Sequence, residues 1–369
     1  MKKTEIKIKK LNKKAMEEAA KRQEKLAKPP GSLGRLEEIS IRLAGMRGSP
    51  ISRIEKPCII IMCADNGVIA EGVASAPLSV TMAQTINFTM KKTGVGALAK
   101  EFGTDLMVID VGINGMVPEE LKTMDYPGPG KQVKIIDRKI AMGTNNIDEG
   151  PAMTLPQTQR AIEIGIEAAV KAADAGHDII GVGEMGIGNT TTGSAFLSAL
   201  TGLSPEETTG RGGGINDLTF AHKKEIVAKA STRASKNRDI KNLLAETAGF
   251  DIAAMTGAFI GAASKGIPAV IDGYISAVAA LAAQRMEPEA GNYFFASHRS
   301  AEAAYDHVIK ELGTKPLLDL EMRLGEGSGC VPAFEIIRSA CAVIGNMATF
   351  EEARIDDGYL EEIRKGGCF

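Results

Sequence analysis

The hydrophobic positions in the middle of the chain fall in short continuous runs, each ending at an acidic residue. Continuous rather than alternating hydrophobicity is typical of strands buried on both faces of a parallel sheet. Ala-rich stretches with helical spacing separate these runs, for example residues 157–175, 219–234 and 251–265. The alternation predicts an α/β fold, a Rossmann-like parallel sheet flanked by helices. The predicted strands are residues 59–65, 106–110, 179–184 and 269–272.

Both ends of the chain have a different pattern, with apolar residues three and four positions apart among Ala, Leu, Glu and Lys. This spacing predicts helices over residues 11–28, 35–47, 300–313, 332–348 and 350–365. We therefore expect a small helical domain built from both termini, residues 1–56 plus 300–369. A large α/β nucleotide-binding domain would cover residues 57–299, with the loop 323–329 reaching its site.

Polar residues follow the predicted strands at the point where each strand ends. Because parallel sheets bind ligands outside the carboxyl ends of their strands, we expect these residues to crowd one edge. We also expect about half of them to act as helix caps or turn formers. The residues are Asp65, Asp110, Glu184, Asp272 and Ser297.

Composition narrows the class of protein. The chain has 369 residues and a formal net charge of −2, without the basic excess of nucleic-acid-binding proteins. Aromatic residues make up 4% with no Trp, and the longest apolar stretch, near residues 58–64, is too short to span a bilayer. The five cysteines and four histidines are scattered, and the basic start lacks a signal-peptide core. We expect a cytoplasmic protein with reduced thiols, no metal site, and neither nucleic-acid nor membrane partners.

A first glycine-rich segment, residues 181–186, matches the G-x-G-x-x-G pattern after a predicted strand. A dinucleotide site would need a helix to open at once and an acid at the end of the next strand. Here the segment continues into a polar turn, so an NAD-dependent oxidoreductase is a distant alternative. Backbone amides and threonine hydroxyls at a helix N-terminus suit one phosphate better, which makes Gly186, Asn189 and Thr190 candidates.

Two further glycine-rich segments carry candidate chemistry. Residues 210–217 precede a helix with Lys223 and Lys224, and the segment is either an anion-binding loop containing Gly212 or a mobile surface loop. Residues 323–329 place Glu326 between two glycines, where a carboxylate makes little structural contribution. We favour a general base or ligand anchor there, with an exposed turn acid as the alternative.

Taken together, these motifs resemble the nicotinate-nucleotide–dimethylbenzimidazole phosphoribosyltransferase family, which makes the α-ribotide of the cobamide lower ligand. The resemblance runs in family order from about residue 11 to about residue 348. The matching segments are residues 28–37, 63–68, 181–191, 249–257, 271–273, 297–302 and 323–329.

The resemblance implies roles for individual residues. Glu326 matches the catalytic carboxylate, and Lys223, or Lys224 if the alignment slips by one, matches the lysine that reaches the phosphate. The nucleotide- and phosphate-binding positions are Glu184, Gly186, Asn189, Thr190, Gly212, Lys223, Asp272, Ser297 and Gly325. The acceptor-binding positions are Ala76, Gln84 and Leu324. Ala76 departs from the family, which has a serine before the proline, so the identity of the acceptor stays open.

The resemblance also implies a reaction without a cofactor or metal. Nicotinate mononucleotide would be the donor, its cationic ring leaving as nicotinate while Glu326 deprotonates the attacking benzimidazole. The partners would be these small molecules and a second copy of the chain. One alternative is a paralogue that activates purine or phenolic acceptors, possibly within a heterodimer, and another is a non-catalytic paralogue.

Overall fold

The computed structural model describes residues 6–360. Eight strands in this part of the chain form one sheet. The strands are β1 (Pro57–Ala64), β2 (Asp105–Gly112), β3 (Lys122–Thr123), β4 (Ile135–Asp137), β5 (Ile179–Met185), β6 (Ala269–Ile271), β7 (Phe294–His298) and β8 (Pro316–Leu318). The helices are α1 (Lys13–Lys25), α2 (Arg35–Arg47), α3 (Ser79–Thr89), α4 (Gly94–Glu101), α5 (Leu155–Asp174), α6 (Asn189–Thr201), α7 (Pro205–Thr208), α8 (Asp217–Ala234), α9 (Ile240–Thr247), α10 (Phe250–Ser264), α11 (Tyr274–Met286), α12 (Tyr305–Glu311), α13 (Cys330–Asn346) and α14 (Phe350–Ala353).

The sheet is parallel throughout and confirms the predicted fold class. Its order is β3-β4-β2-β1-β5-β6-β7-β8, so β5 to β8 follow one another in chain order on one side of β1, while on the other side β4 lies between β2 and the edge strand β3. Every residue of β1 is buried, as its unbroken apolar run predicts. The point where the strand order reverses lies between β1 and β5, and ligands of open α/β sheets bind at this position.

Helices cover the sheet and bury its apolar side chains. Helix α10 packs against α5 and against β1, β2 and β5, and its residues are buried from Phe250 to Ala263. Such an all-round apolar helix is stable only inside a large core. None of the helices in residues 6–360 combines the length and hydrophobicity needed to span a membrane.

The described residues divide into two compact units. The sheet unit contains residues 6–8 and 56–333, so residues 6–8 lie outside the helical domain in which we predicted them. The helical unit contains residues 9–55 and 334–360. Residues 300–333, which we predicted to lie in the helical domain, belong instead to the sheet unit. The physical reason is strand β8, which the sequence pattern did not indicate and which pairs with β7.

Within the helical unit, small side chains let α1, α2 and α13 pack closely. Ala15, Ala19, Ala44 and Ile344 form its buried cluster. The two predicted N-terminal helices are confirmed as α1 and α2. The helix predicted over residues 350–365 is wrong in its described part, because it ends at Ala353 and Arg354 follows with a φ of +55°. Residues 361–365 lie outside the described part of the chain.

Candidate active site

A cavity of about 280 Å³ opens beyond the carboxyl ends of the central strands, within the sheet unit. The loops after β1, β5, β6 and β7 line it, together with the glycine-rich segment before α8 and the turn before α13. Every predicted binding or catalytic residue lines the cavity except Lys223 and Ser297. The predicted residues in the lining are Ala76, Gln84, Glu184, Gly186, Asn189, Thr190, Gly212, Asp272, Leu324, Gly325 and Glu326.

Two of the strand-end acids have structural partners instead. The Asp65 carboxylate accepts the Asn114 N–H at 2.8 Å. Asp110 accepts the N–H groups of Gly112 and Ile113 at 3.0 and 2.9 Å and pairs with Lys139 at 2.8 Å. Both therefore stabilise the loop that follows β2, which agrees with the expectation that some of these acids form turns.

Glu326 lies at the tip of the turn before α13. It is 4% exposed and has a φ of +65°, a conformation that non-glycine residues rarely adopt. Its Oε1 accepts the Gln84 amide N–H at 3.0 Å, and its Oε2 accepts the Val95 N–H, at the start of α4, at 3.4 Å. Burial raises the pKa of Glu326, and these donors oppose the shift. A buried carboxylate facing a cavity, with a raised pKa, is suited to act as a general base.

Asp272 holds this turn in place. Its two carboxylate oxygens accept the N–H groups of Gly327 at 2.8 Å and Gly329 at 2.7 Å. Ser297 lies behind it and donates its hydroxyl to the Asp272 carbonyl at 2.9 Å. Burial raises the pKa of Asp272 to about 7. Since both oxygens are engaged by the turn, Asp272 fixes the backbone on either side of Ser328 and thereby the position of Glu326.

Strand β5 and the turn before α13 touch directly through glycines. A Cβ on Gly183 would lie 2.4 Å from the Gly327 nitrogen and 2.6 Å from the Glu326 carbonyl carbon. Gly327 itself has a φ of +86°. Only glycine at position 183 leaves room for this approach, so the strand backbone sets the depth of Glu326 in the cavity.

A second group of acids lies at the end of β5. The Asn189 amide donates to Glu184 Oε2 and to Asp251 Oδ2, the latter at 3.1 Å, and so links the two carboxyl groups. Asp251 is fully buried near the start of α10. Burial and the neighbouring acids raise the pKa of Glu184 to about 8, and burial raises the pKa of Asp251 to about 6. Asn189 counteracts both shifts because it donates to the charged form.

These acids lie close enough to one another for their charged forms to repel. Burial is the largest cause of the raised pKa of Glu184, followed by repulsion from Asp251, while Asp272 and Glu326 add smaller repulsions. Carboxyl groups that repel one another in a poorly solvated site favour a bound cation or developing positive charge.

Lys223 does not line the cavity but lies directly behind it. Its side chain is buried, and Nζ donates to Thr190 Oγ1 and to the Gly210 carbonyl, each at 2.9 Å. Burial lowers the pKa of Lys223 to about 8, and Glu302 partly offsets this. Lys224, by contrast, lies over the Phe220 ring at 4.3 Å. Position alone therefore favours Lys223 over Lys224 as the lysine nearest the glycine-rich lining.

The predicted acceptor positions all line the cavity. Ala76 is half-buried in the lining, and Leu324 exposes 58% of its surface at the cavity rim. Gln84 donates to Glu326, so its amide is already engaged by the carboxylate. The hydroxyl next to Ala76 along the chain belongs to Ser75, which is exposed and also contributes to the lining.

The sequence did not indicate a role for Asp251 or Glu302, which the structure places at this site. Asp251 lies in a segment that carries the family resemblance, but its link to Glu184 runs through Asn189, more than sixty residues away. Glu302 lines the cavity and accepts the Gly212 N–H, and burial raises its pKa. No spacing pattern indicates either contact. Within residues 6–360, no group of three or more His, Cys, Asp or Glu side chains has a metal-binding arrangement.

Residues 8–355 match a family model described as phosphoribosyltransferase. The chain belongs to this family. Among its relatives is the nicotinate-nucleotide–dimethylbenzimidazole phosphoribosyltransferase of Clostridium perfringens, 51% identical over 95% of this chain and 94% of the relative. The enzyme of the same name from Ruminiclostridium cellulolyticum is 46% identical over 95% and 96% of the two chains. The crystal structure of CobT from Thermus thermophilus has a TM-score of 0.87 and 35% identity, and covers 94% of this chain and 100% of that one.

A phosphoribosyltransferase replaces the group on C1′ of a ribose 5-phosphate through a transition state with positive charge on the sugar. The cavity offers acids for that charge and a carboxylate, Glu326, for proton transfer. The dinucleotide-binding alternative is not favoured, because the glycine-rich turn after β5 delays α6 until Asn189.

Proposed function

We propose that this phosphoribosyltransferase transfers the phosphoribosyl group of nicotinate mononucleotide to 5,6-dimethylbenzimidazole or a closely related lower-ligand base. The products are nicotinate and the α-ribotide of the base. The observation that carries the proposal is Glu326, a buried carboxylate facing the cavity from a turn held by Asp272. The names of the relatives supply the substrates, and neither purine nor phenolic acceptors gain a supporting observation.

In this reaction the bond between C1′ and the pyridine nitrogen breaks, and its electron pair stays on nicotinate. One ring nitrogen of the base forms the new bond to C1′ from the opposite face, which inverts C1′. The N–H proton of the other ring nitrogen passes to Glu326, a transfer worth about 10²–10⁴ in rate. Glu184 and its acidic neighbours favour the cationic ring of the donor and the charge that develops at C1′.

The phosphate is assigned to the glycine-rich part of the lining. Thr190 lies at the start of α6 and contacts Lys223, and Gly212 packs against the Thr190 side chain. Charge-assisted hydrogen bonds from a lysine, together with amides at a helix N-terminus, are the usual partners of a phosphate dianion. Lys223 in this role acts from behind Thr190.

We also assign the enzyme to the cytoplasm and to a homodimer. The support for the location is that the buried thiols Cys58 and Cys63 on β1 form no disulfide, as is usual in a reducing compartment. The support for the dimer is the family resemblance. Sedimentation analysis of the purified protein tests the dimer, and a monomer would remove it from the proposal.

To test the proposed reaction, the enzyme is incubated with nicotinate mononucleotide and dimethylbenzimidazole, and the products are identified by mass spectrometry. We expect the α-ribotide and an equal amount of nicotinate. Glu326→Gln keeps the shape of the side chain but removes the base, so turnover should fall by about 10²-fold or more while nucleotide binding is retained. Glu120→Gln, at an exposed position, is the matched control. Near-normal turnover in Glu326→Gln would refute the general-base role, and absence of ribotide with the native enzyme would refute the substrates.

A further inference from the structure

Two amide side chains on α3 form a hydrogen-bonded relay that ends on Glu326. The Asn87 side-chain N–H donates to Gln84 Oε1 at 3.0 Å, and the Gln84 side-chain N–H donates to Glu326 Oε1 at 3.0 Å. Residues three apart on a helix share one face, so α3 presents both amides in the direction of the turn. Asn87 itself is not part of the cavity lining.

The orientation of the Gln84 amide decides whether this relay helps or harms Glu326. An amide group has nearly the same shape either way round, but one end donates and the other accepts. With its nitrogen toward Glu326, Gln84 donates to the carboxylate. With the amide reversed, the Gln84 oxygen would face the carboxylate, and its nitrogen would face the donating nitrogen of Asn87. The Asn87 donor and the Glu326 carboxylate therefore favour the same orientation of the Gln84 amide.

The two oxygens of Glu326 accept hydrogen bonds from different kinds of donor. Oε1 accepts the side-chain N–H of Gln84 at 3.0 Å, whereas Oε2 accepts the backbone N–H of Val95 at 3.4 Å, and the backbone N–H of Gly94 is a further donor to the carboxylate. Backbone donors at the start of α4 are fixed by the helix. Gln84 is a side-chain donor whose orientation depends on its contact with Asn87.

We propose that Asn87 is a positioning residue for phosphoribosyl transfer: it holds the Gln84 amide so that Gln84 donates to Glu326 Oε1 and keeps the general base in place. This proposal rests on the proposed function, because it assumes that Glu326 is the general base. It assigns Asn87 no contact with either substrate.

Loss of the Asn87 donor has a defined consequence for the acidity of Glu326. The Gln84 hydrogen bond lowers the pKa of Glu326, so a Gln84 amide free to reverse should let that pKa rise. The acid limb of the kcat profile should then move to higher pH. Glu184 and Asp272 interact electrostatically with Glu326, and the substitution changes neither of them. It also leaves in place the other acidic or basic side chains of the cavity, which are Arg211, His298, Glu302 and Arg323.

The test uses the full-length enzyme and the variant Asn87→Leu, which keeps the size of the side chain and removes the donor. We expect kcat to fall by about three- to tenfold, the acid limb to move upward, and the KM for nicotinate mononucleotide to stay unchanged. Thr89→Val is the matched control, since Thr89 lies on the same helix and donates to the Ile86 carbonyl at 2.7 Å. The control should show neither change.

A double-mutant cycle with Gln84→Leu decides whether Asn87 acts through Gln84. If it does, Asn87→Leu has no further effect once Gln84 is gone. Additive losses, or a lower kcat with an unmoved acid limb, would overturn the proposal.

A readout without substrate separates this proposal from the proposed function. The carboxyl carbon of Glu326 is titrated by ¹³C NMR in glutamate-labelled enzyme and assigned with Glu326→Gln. We expect a higher pKa in Asn87→Leu than in the native enzyme and Thr89→Val. If the native enzyme makes no ribotide but this shift occurs, the relay stands and the function falls. If ribotide forms and no shift occurs, the relay falls and the function stands.

Discussion

Lys223 is a buried cation that touches the site through its neighbours. Its side chain is 1% exposed and is held between the Thr190 hydroxyl and the Gly210 carbonyl. An ammonium group buried to this degree is strongly destabilised unless polar atoms surround it, and burial lowers the pKa of Lys223 to about 8. A phosphate dianion nearby would reverse that shift, because it favours the charged lysine.

Lys223→Met keeps most of the apolar stem and removes the charge, so the affinity for nicotinate mononucleotide should fall by about 1.5–3 kcal/mol, the range for hydrogen bonds to charged groups. Binding of dimethylbenzimidazole should change little. Calorimetric titration of each ligand measures both, with thermal melting to verify the fold. Lys224→Met is the control, and an equal loss of nucleotide affinity there would point to Lys224.

Residue types indicated much of this site and missed some of its contacts. The Gly-Glu-Gly pattern drew attention to Glu326, and the structure places that residue in the cavity with a positive φ. The roles of Asp251 and Glu302 were not indicated, because each depends on a partner far along the chain. The residues next to Glu326 in sequence indicate its unusual backbone conformation. They cannot indicate contacts between residues that only the folded sheet brings together.

Among the secondary-structure elements, the strands that form continuous apolar runs were predicted correctly. They predicted β1, β2, β5 and β6, and the structure confirms all of them. Strands β3 and β8 were missed because two or three residues show no periodicity and neither strand is fully buried, unlike the equally short β6. The order of the strands also could not be obtained from pattern, because several orders satisfy the same right-handed crossovers.

Strand β5 contacts the turn before α13 at Gly183. Gly183→Ala places a methyl group against the backbone of the turn, so Glu326 must move away from the strand. A displacement of about 1 Å is expected to reduce kcat by about 10²-fold while the protein still folds. Steady-state kinetics measured well below the melting temperature tests this.

Gly150→Ala is the control for that experiment, because a Cβ at Gly150 meets no atom within 4 Å. It should retain native kinetics. A Gly183→Ala enzyme with kcat within twofold of the native value would show that the turn position does not depend on this contact.

The buried acids around Glu184, which favour a cationic donor, lower the stability of the whole protein when no ligand is bound. The net charge of the chain is only −2, so the effect comes from a local cluster and not from overall charge. Burial raises the pKa of Glu184 to about 8, whereas an unfolded glutamate titrates near 4.5. Between these two pH values the folded protein holds a proton on Glu184 that the unfolded chain releases. The free energy of unfolding contributed by this proton therefore falls as pH rises, and the contribution is fully lost above about pH 8.

Glu184→Gln removes this titration while keeping the size of the side chain. We expect the melting temperature of the variant, relative to the native enzyme, to increase steadily from pH 5 to pH 8, and its turnover to fall because the cationic donor loses a favourable charge. Thermal melting in matched buffers gives the first result and steady-state kinetics the second. Glu120→Gln, exposed and distant from the cluster in sequence, should differ from the native enzyme in melting temperature by an amount that does not depend on pH.

Adding nicotinate mononucleotide should cancel part of the higher melting temperature of Glu184→Gln at pH 8, since a ligand that prefers the charged cluster stabilises the native enzyme more than the variant. A constant difference between Glu184→Gln and the native enzyme across this pH range would mean that Glu184 is already ionised in the folded protein, and the site would then owe its preference for a cation to Asp251 and Asp272.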